Sequence, residues 1–322
     1  MKNNHTTALN NIHQKRIAAI NDLAGHGRCA LSVALPLISS LGIECCPLPT
    51  ALLSTNGAFP GYVMHDQTDF LEQTVNHYIS LDLKFDGIIS GFLTSEKQVD
   101  IIENFVKHFK KDDTLYVLDP IMGDNGHIYS VTSDEVCKNI GRLLPACDIC
   151  TPNLTELMCL AGMPYSDITP KPDEIFDICK EICTKYNIDN GKFFNIVITG
   201  IVHEHEPEYI TNFVFQNHPM HFNAFADSVN EAFTGGASSE FACITNSLKQ
   251  KLFTVKTPKN SISRFGTGDI FTSMLAGYMV NGYDLLNAVK SAAAFVAAAL
   301  DKTDKYNIPP RNGVCFEEMI YR

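Results

Sequence analysis

The sequence predicts an α/β protein in three layers, α/β/α, with a central, mostly parallel sheet. Three observations predict it. Short apolar runs of strand length alternate with amphipathic stretches of helical spacing. The runs are apolar throughout rather than at every second position, as strands covered on both faces must be. The chain has 322 residues, of which 45% are hydrophobic, enough for one large core.

The elements follow in order. Arg16–Ile20 reads as a first strand, Ala30–Leu41 as a helix that ends at Gly42, and Ile43–Leu48 as a second strand. Thr68–Leu81 is helical and Gly87–Ser90 is a short buried strand. Ser95–Phe109 has helical spacing, and Thr114–Leu118 is a strand that stops at Asp119-Pro120. Ile149–Thr151 runs into Pro152, after which Leu154–Leu160 turns helical. Asn195–Thr199 is a further strand and Ile270–Val280 a further helix. Ser291–Leu300, rich in alanine, is too short to cross a bilayer and reads as a buried helix. Residues 1–15 are polar and read as a tail ahead of a single domain, 16–322. Between 218 and 259 the residues turn small and polar, an expected loop insertion on the domain's edge. No internal repeat is present.

The formal net charge of −11 excludes a nucleic-acid-wrapping surface. An acidic chain that handles an anion needs a locally positive spot, such as a helix N-terminus or a metal ion. Eleven cysteines lie mostly in or beside apolar runs and are expected as free thiols of a cytoplasmic protein. Cys147 and Cys150 have C-x-x-C spacing, but the second lies in a strand, so packing is expected rather than redox chemistry. His203-Glu204-His205 and His218-Pro219-Met220-His221 lack the frame of a zinc site and read as loop histidines.

Four motifs at strand ends carry chemistry. In Phe265-Gly266-Thr267-Gly268-Asp269, two glycines allow a tight turn onto a helix N-terminus, where bare N–H groups make an anion site. Asp269 falls in the first helical turn, placed to take a proton from an attacking hydroxyl. Together these are the parts phosphoryl transfer needs, although an ordinary helix cap uses the same residue types. In Asp119-Pro120-Ile121-Met122-Gly123-Asp124, two carboxylates stand where ligands bind in open α/β sheets and could hold Mg²⁺. In Thr151-Pro152-Asn153-Leu154-Thr155-Glu156, Asn153 and Glu156 would reach nucleotide phosphate or a metal-bound water, or form a capping box. Thr199-Gly200 ends a strand and could line a nucleotide pocket.

Together and in this order, the motifs resemble the ribokinase superfamily, in particular its pyridoxal kinase branch. DPIMGDNG, TPNLTE and FGTGDIF match that branch, as does the opening INDLAGHGRCALSVALPLISSLGIECCPLPTALLST followed by Gly61-Tyr62. The resemblance spans about Arg16 to Leu300. It implies the ribokinase-like fold and ATP-dependent phosphorylation of the 5′-hydroxymethyl group of a vitamin B6 vitamer in pyridoxal 5′-phosphate salvage. It implies ATP and Mg²⁺, a monovalent cation such as K⁺, and a homodimer, with no nucleic-acid or membrane partner. Asp269 is implied as the base, and Gly266, Thr267 and Gly268 as amide donors to the transferred phosphoryl group. Asp124 would contact Mg²⁺, with Asp119 and Thr151 near a monovalent-cation or metal-phosphate site. Asn153, Glu156, Thr199 and Gly200 would approach ATP. Asp22, Thr55 and Asn56 would face the vitamer, with Asn21 an alternative to Asp22. Here the sequence departs from the family: Asn21-Asp22 replaces a usual Ser, and Ser54-Thr55-Asn56-Gly57 differs from S-x-H-T. A carboxylate there could bind a pyridinium N–H or the pyridoxamine ammonium.

Other readings remain open at this point. Hydroxymethylpyrimidine or a sugar could be the alcohol phosphorylated. A non-catalytic protein of the same fold could bind vitamer or nucleotide alone. Gly25-His26-Gly27-Arg28-Cys29-Ala30 fits G-x-G-x-x-A, with Glu44 ending the next strand, which would suit a dinucleotide-binding oxidoreductase.

Overall fold

The structure is a computed structural model. It describes residues 13–166, 168–188, 192–217, 243–245, 250–259 and 262–320. The expected tail up to residue 12, the second histidine cluster at 218–221 and most of the expected insertion lie outside the described residues.

The predicted three-layer α/β/α architecture is present. Nine residues of the first strand, β1 (Arg16–Ala24), carry no polar side chain until Asn21 apart from the leading Arg16. Alternate residues serve opposite faces: Ile17 and Ala19 pack into one core cluster, Ala18 and Ile20 into another. This two-sided burial is why the run is continuously apolar. The parallel part of the sheet continues through β2 (Glu44–Leu53), β4 (Gly87–Ser90), β5 (Leu115–Leu118), β8 (Ile149–Cys150) and β9 (Asn195–His203). Antiparallel strands finish both edges: β3 (Met64–Asp66) beyond β2, and β10 (Glu206–Gln216), β12 (Lys251–Pro258) and β11 (Cys243–Thr245) beyond β9. The resulting order among the described residues is β11-β12-β10-β9-β8-β5-β4-β1-β2-β3. The last residues of the stretch expected as an insertion are therefore β12, paired along its length with β10.

One face is covered by α1 (Ala30–Ser40), α7 (Thr267–Val280) and α8 (Leu285–Lys305). The other is covered by α2 (Thr68–Ser80), α3 (Glu96–Phe109), α4 (Asp134–Asn139), α5 (Leu154–Ala161) and α6 (Pro172–Lys185). The alanine-rich run lies inside α8, with Ala288, Ala292, Ala293 and Phe295 buried against the sheet. No helix among the described residues is long and apolar enough to cross a membrane.

Local chemistry fixes the element ends that matter. Ser95 accepts the Gln98 N–H and starts α3. Asn153 starts α5 through a capping box with Glu156. β6 (Gly123–Asp124) and β7 (His127–Ile128) form a hairpin whose two turn residues, Asn125 and Gly126, have φ of 50° and 77°. Asn-Gly is the pair that tolerates such a turn. A Cβ on Gly126 would also lie 2.6 Å from the Tyr165 ring.

Candidate active site

The C-terminal ends of β1, β5 and β8 meet the first turns of α7, where Asn21, Asp119 and Thr151 touch side chains of that helix. Gly266 precedes α7 with φ of 79°, and no side chain caps the helix. The first N–H groups of a helix have no intrahelical partner, and the helix dipole adds positive potential to them. A Cβ on Gly268 would meet nothing within 4 Å, so the ground in front of the helix end is open.

Asp269, in the first turn, points back toward β1. Its Oδ1 accepts from Asn21 Nδ2 at 3.3 Å, and the Ala30 backbone amide also favours its charged form. Burial pushes Asp269 up to about 6, and these two groups hold it down against that. Asp22 follows Asn21 in β1 and is 9% exposed. Burial pushes it up to about 7, with the Asp269 charge adding to the shift. No side-chain hydrogen bond reaches its carboxylate among the described residues.

Asp119, at the end of β5, accepts from Thr272 Oγ1 at 3.2 Å, and Thr272 lies 3.0 Å from Thr151 Oγ1. Burial, then the Asp269 charge, pushes Asp119 up to about 8. A cavity of about 10 Å³, room for one water-sized group, lies between Asn21, Asp119, Asp269, Thr272 and Ser273. No cationic side chain acts on Asp22, Asp119 or Asp269 among the described residues. Carboxylates buried together without a protein counter-charge suit a divalent or ligand-borne cation.

Glu156 is a clasp. Its Oε1 accepts from Met122 N at 3.1 Å and its Oε2 from Asn153 N at 2.9 Å, tying the loop after β5 to the start of α5. Burial pushes its carboxyl group well above the usual range. Asn153 in turn donates to Gly123 O at 2.7 Å and bridges to Thr199 by a single β-type pairing. Asp124 is half-buried beside this clasp, raised by burial and accepting the Asn125 backbone and side-chain amides. Gly200 adopts φ of 77° at an irregularity of the β9–β10 pairing and donates its N–H to Asn212 Oδ1.

The substrate-side residues divide. Asp22 lies within the electrostatic reach of Asp269. Thr55 Oγ1 is buried with no partner. Asn56 has both ends of its amide engaged, accepting from Ala58 N and donating to Arg311 O. It also fills the space in front of Gly27, where a Cβ would lie 2.2 Å from Asn56 Nδ2. Above these residues lies a small apolar cluster of Ala24, Leu53 and Phe92, with Tyr62, Val131 and Phe265 packed on it.

Three expectations are corrected or resolved. The dinucleotide reading fails: Glu44 opens β2 rather than ending it and pairs with Arg16 at 2.7 Å. The Gly25–Ala30 loop is meanwhile filled by Asn56 and held by the Arg28 N–H on Asn312 O. His203, expected in a loop, is instead the buried last residue of β9, its ring packed on Phe213 and His205. The ten described cysteines are free thiols, among them Cys147 and Cys150.

Asn21 as a partner of the base, Thr272 and the backbone N–H groups of Ala30 and Phe92 escaped the sequence reading. Thr272 had a legible signal, since it lies one turn after Asp269 on the same helix face. Ala30 and Phe92 act through main chain and leave no side-chain signature.

A family model described as phosphomethylpyrimidine kinase matches residues 35–261. The chain is 25% identical over 277 residues to pyridoxal kinase of Dictyostelium discoideum, covering 83% of this chain and 79% of that one. A Bacteroides thetaiotaomicron protein crystallised with pyridoxal superposes with a TM-score of 0.80 at 29% identity, over 96% of this chain and 95% of that one. Pyridoxal kinase from Lactobacillus plantarum superposes with a TM-score of 0.76 over 96% of both chains, and at 22% identity this likeness is one of fold.

Proposed function

Because the chain belongs to the phosphomethylpyrimidine kinase family, we propose that it transfers the γ-phosphoryl group of ATP to the 5′-hydroxymethyl group of a vitamin B6 vitamer, releasing ADP. The observation that carries this reading is the uncapped N-terminus of α7 with a buried carboxylate in its first turn. An anion cradle and a proton acceptor on one turn of helix are what in-line transfer to an alcohol requires.

The mechanism follows from these residues. The vitamer's hydroxymethyl group lies against Asp269, which takes its proton as the oxygen attacks the γ-phosphorus. The new P–O bond forms as the bond to ADP breaks. The amides of Gly266, Thr267 and Gly268 hold the charge that develops on the equatorial oxygens. Asn153, Thr199 and Gly200 border the nucleotide phosphates, with Glu156 keeping that border in place. Asp22 faces the ring of the vitamer beside Thr55, under the apolar cluster of Phe92, Tyr62 and Phe265. Asn56 shapes this wall through the loop it holds.

Asp119, buried without a counter-charge, and the half-buried Asp124, with Thr151 joined to Asp119 through Thr272, are the residues that would hold Mg²⁺ and a monovalent cation such as K⁺. When bound, Mg²⁺ supplies neutralising charge to the transferring phosphates. The reading extends to a salvage role and a homodimer, the latter tested by light scattering of the purified protein.

The family's description, phosphomethylpyrimidine kinase, points to a pyrimidine ring, and hydroxymethylpyrimidine is the second alcohol to weigh. One experiment separates the two: ADP release with Mg·ATP and, in turn, pyridoxal, pyridoxamine, pyridoxine and hydroxymethylpyrimidine. A kcat/KM highest for a B6 vitamer supports the proposal, and one highest for hydroxymethylpyrimidine overturns it.

A further inference from the structure

We propose that Asn21 is the positioning residue of the base, holding one oxygen of Asp269 so that the other is aimed at the substrate hydroxyl. This rests on the assignment of Asp269 as base made above.

The geometry settles the amide's orientation. Asn21 Oδ1 accepts two backbone N–H groups, from Phe92 at 2.9 Å and from Asp22 at 3.0 Å. A flipped amide would set its NH₂ against both donors. The Nδ2 end therefore faces Asp269 Oδ1, at 3.3 Å. The residue sits where β1 slips register against β2, between Asn21 and Leu23, which turns its side chain into the site. It is 8% exposed.

The surroundings are shaped for this side chain. A Cβ on Gly91 would lie 2.5 Å from Asn21 Nδ2 and 2.7 Å from its Cγ, so only glycine at 91 leaves room for the amide. Gly91 is itself fixed by its N–H on Ile20 O at 2.8 Å. Asn21 thus ties the ends of two neighbouring strands, β1 and β4, to the first turn of α7. The Ala30 backbone amide also favours the charged form of the Asp269 carboxyl group. A donor that is itself held by two backbone N–H groups gives the carboxylate a fixed anchor. The remaining titratable groups that act with Asp269 are Asp22 on β1, Asp119 at the end of β5, Cys29 before α1 and Tyr129 after β7. None of them is a hydrogen-bond donor to its carboxyl group in the structure.

The test is a double-mutant cycle with Asn21→Ala and Asp269→Asn, each alone and together, read as kcat and as KM for ATP. The alcohol is whichever of pyridoxal, pyridoxamine, pyridoxine or hydroxymethylpyrimidine the parent enzyme turns over fastest. Asn21 touches the base and not the substrate, so failure of the vitamer reading leaves this test intact. The expected result is a kcat lowered about 10- to 100-fold by Asn21→Ala, a misalignment effect, with KM for ATP unchanged. In the Asp269→Asn background the same change should cost less than about twofold. Asn21→Asp, which keeps the shape and removes the donor, should lower kcat at least as far. Equal losses in both backgrounds, or a rise in KM for ATP matching the loss in kcat, would overturn the proposal, because either would mean that Asn21 supports the fold rather than the base.

Discussion

Gly266 stands against the carbonyl oxygen of Arg28 so closely that a Cβ at position 266 would lie 2.1 Å from it. Its φ of 79° is also one that side-chain-bearing residues avoid. Two independent constraints therefore demand glycine at the entrance of α7. Gly266→Ala should force the turn and the Arg28 backbone apart, costing about 1–3 kcal/mol of stability. Displaced amides should also lower kcat by about 10²-fold or more. Thermal unfolding and steady-state ADP release on the same sample check both halves. Gly268→Ala is the contrast: its Cβ would meet nothing within 4 Å, so stability should hold.

Asp269→Asn keeps the shape and removes the proton acceptor. Turnover should fall by about 10²- to 10⁴-fold, the range general-base catalysis supplies. ATP affinity by calorimetry should change little, since the carboxylate faces the alcohol rather than the nucleotide. An enzyme that keeps its turnover refutes the assignment of the base.

The pH dependence has a definite sign. Asp269 works only when ionised, and burial has pushed it up to about 6. Below that pH the fraction of competent base falls tenfold per unit, so kcat/KM should climb with pH and level off above about 6. A profile that is flat from 5 to 7 removes Asp269 from the proton transfer.

How far the sequence discloses this site depends on whether a role is local. Gly266 to Asp269 form one turn, and their roles follow from neighbouring residues and helix geometry. The carboxylates of Asp119 and Asp124 stand at a strand end for the same reason. The parallel strands were legible because burial on both faces leaves an apolar run. The antiparallel strand β10 was not, since its first residues, Glu206 to Ile210, are exposed or only partly buried and mimic a loop. Asn21 and Asn56 were illegible in their roles because their partners are distant: Asp269 is 248 residues from Asn21, and Arg311 is 255 residues from Asn56. Pairings of that kind are decided by topology, and no short-range pattern announces them.

Asp22 carries a cost and a benefit on the same carboxylate. It is buried beside Asp269 with no counter-cation, so its folded-state value of about 7 lies above the ordinary carboxylate range. The folded chain then holds a proton that the unfolded chain releases, and stability contributed by that proton is lost as pH rises through 7. Asp22→Asn should therefore be more stable than the parent at pH 8, by at most about 4 kcal/mol, and should lose most of that advantage by about pH 4. If the carboxylate pairs with a ring N–H, the same variant should stop discriminating between a vitamer and its 1-deaza analogue in kcat/KM. Denaturant titrations at the two pH values and paired kinetics test each half. An unchanged discrimination ratio would separate Asp22 from the ring.

Glu156 offers the opposite case, an acidic residue whose oxygens are both taken by main chain. Met122 N donates to one and Asn153 N to the other. Glu156→Gln keeps the length but leaves a single acceptor oxygen, so its NH₂ must face one of the two N–H groups. A buried donor without an acceptor costs about 1–3 kcal/mol, and the variant should unfold at correspondingly lower denaturant. The loop it releases carries Asp124, and the helix start it frees carries Asn153, so both the metal side and the phosphate side loosen together. KM for Mg·ATP should rise while KM for the alcohol stays near the parent value, because Asp22 and Asp269 are anchored on β1 and α7 instead. A variant with normal stability would show that the clasp is not what Glu156 provides.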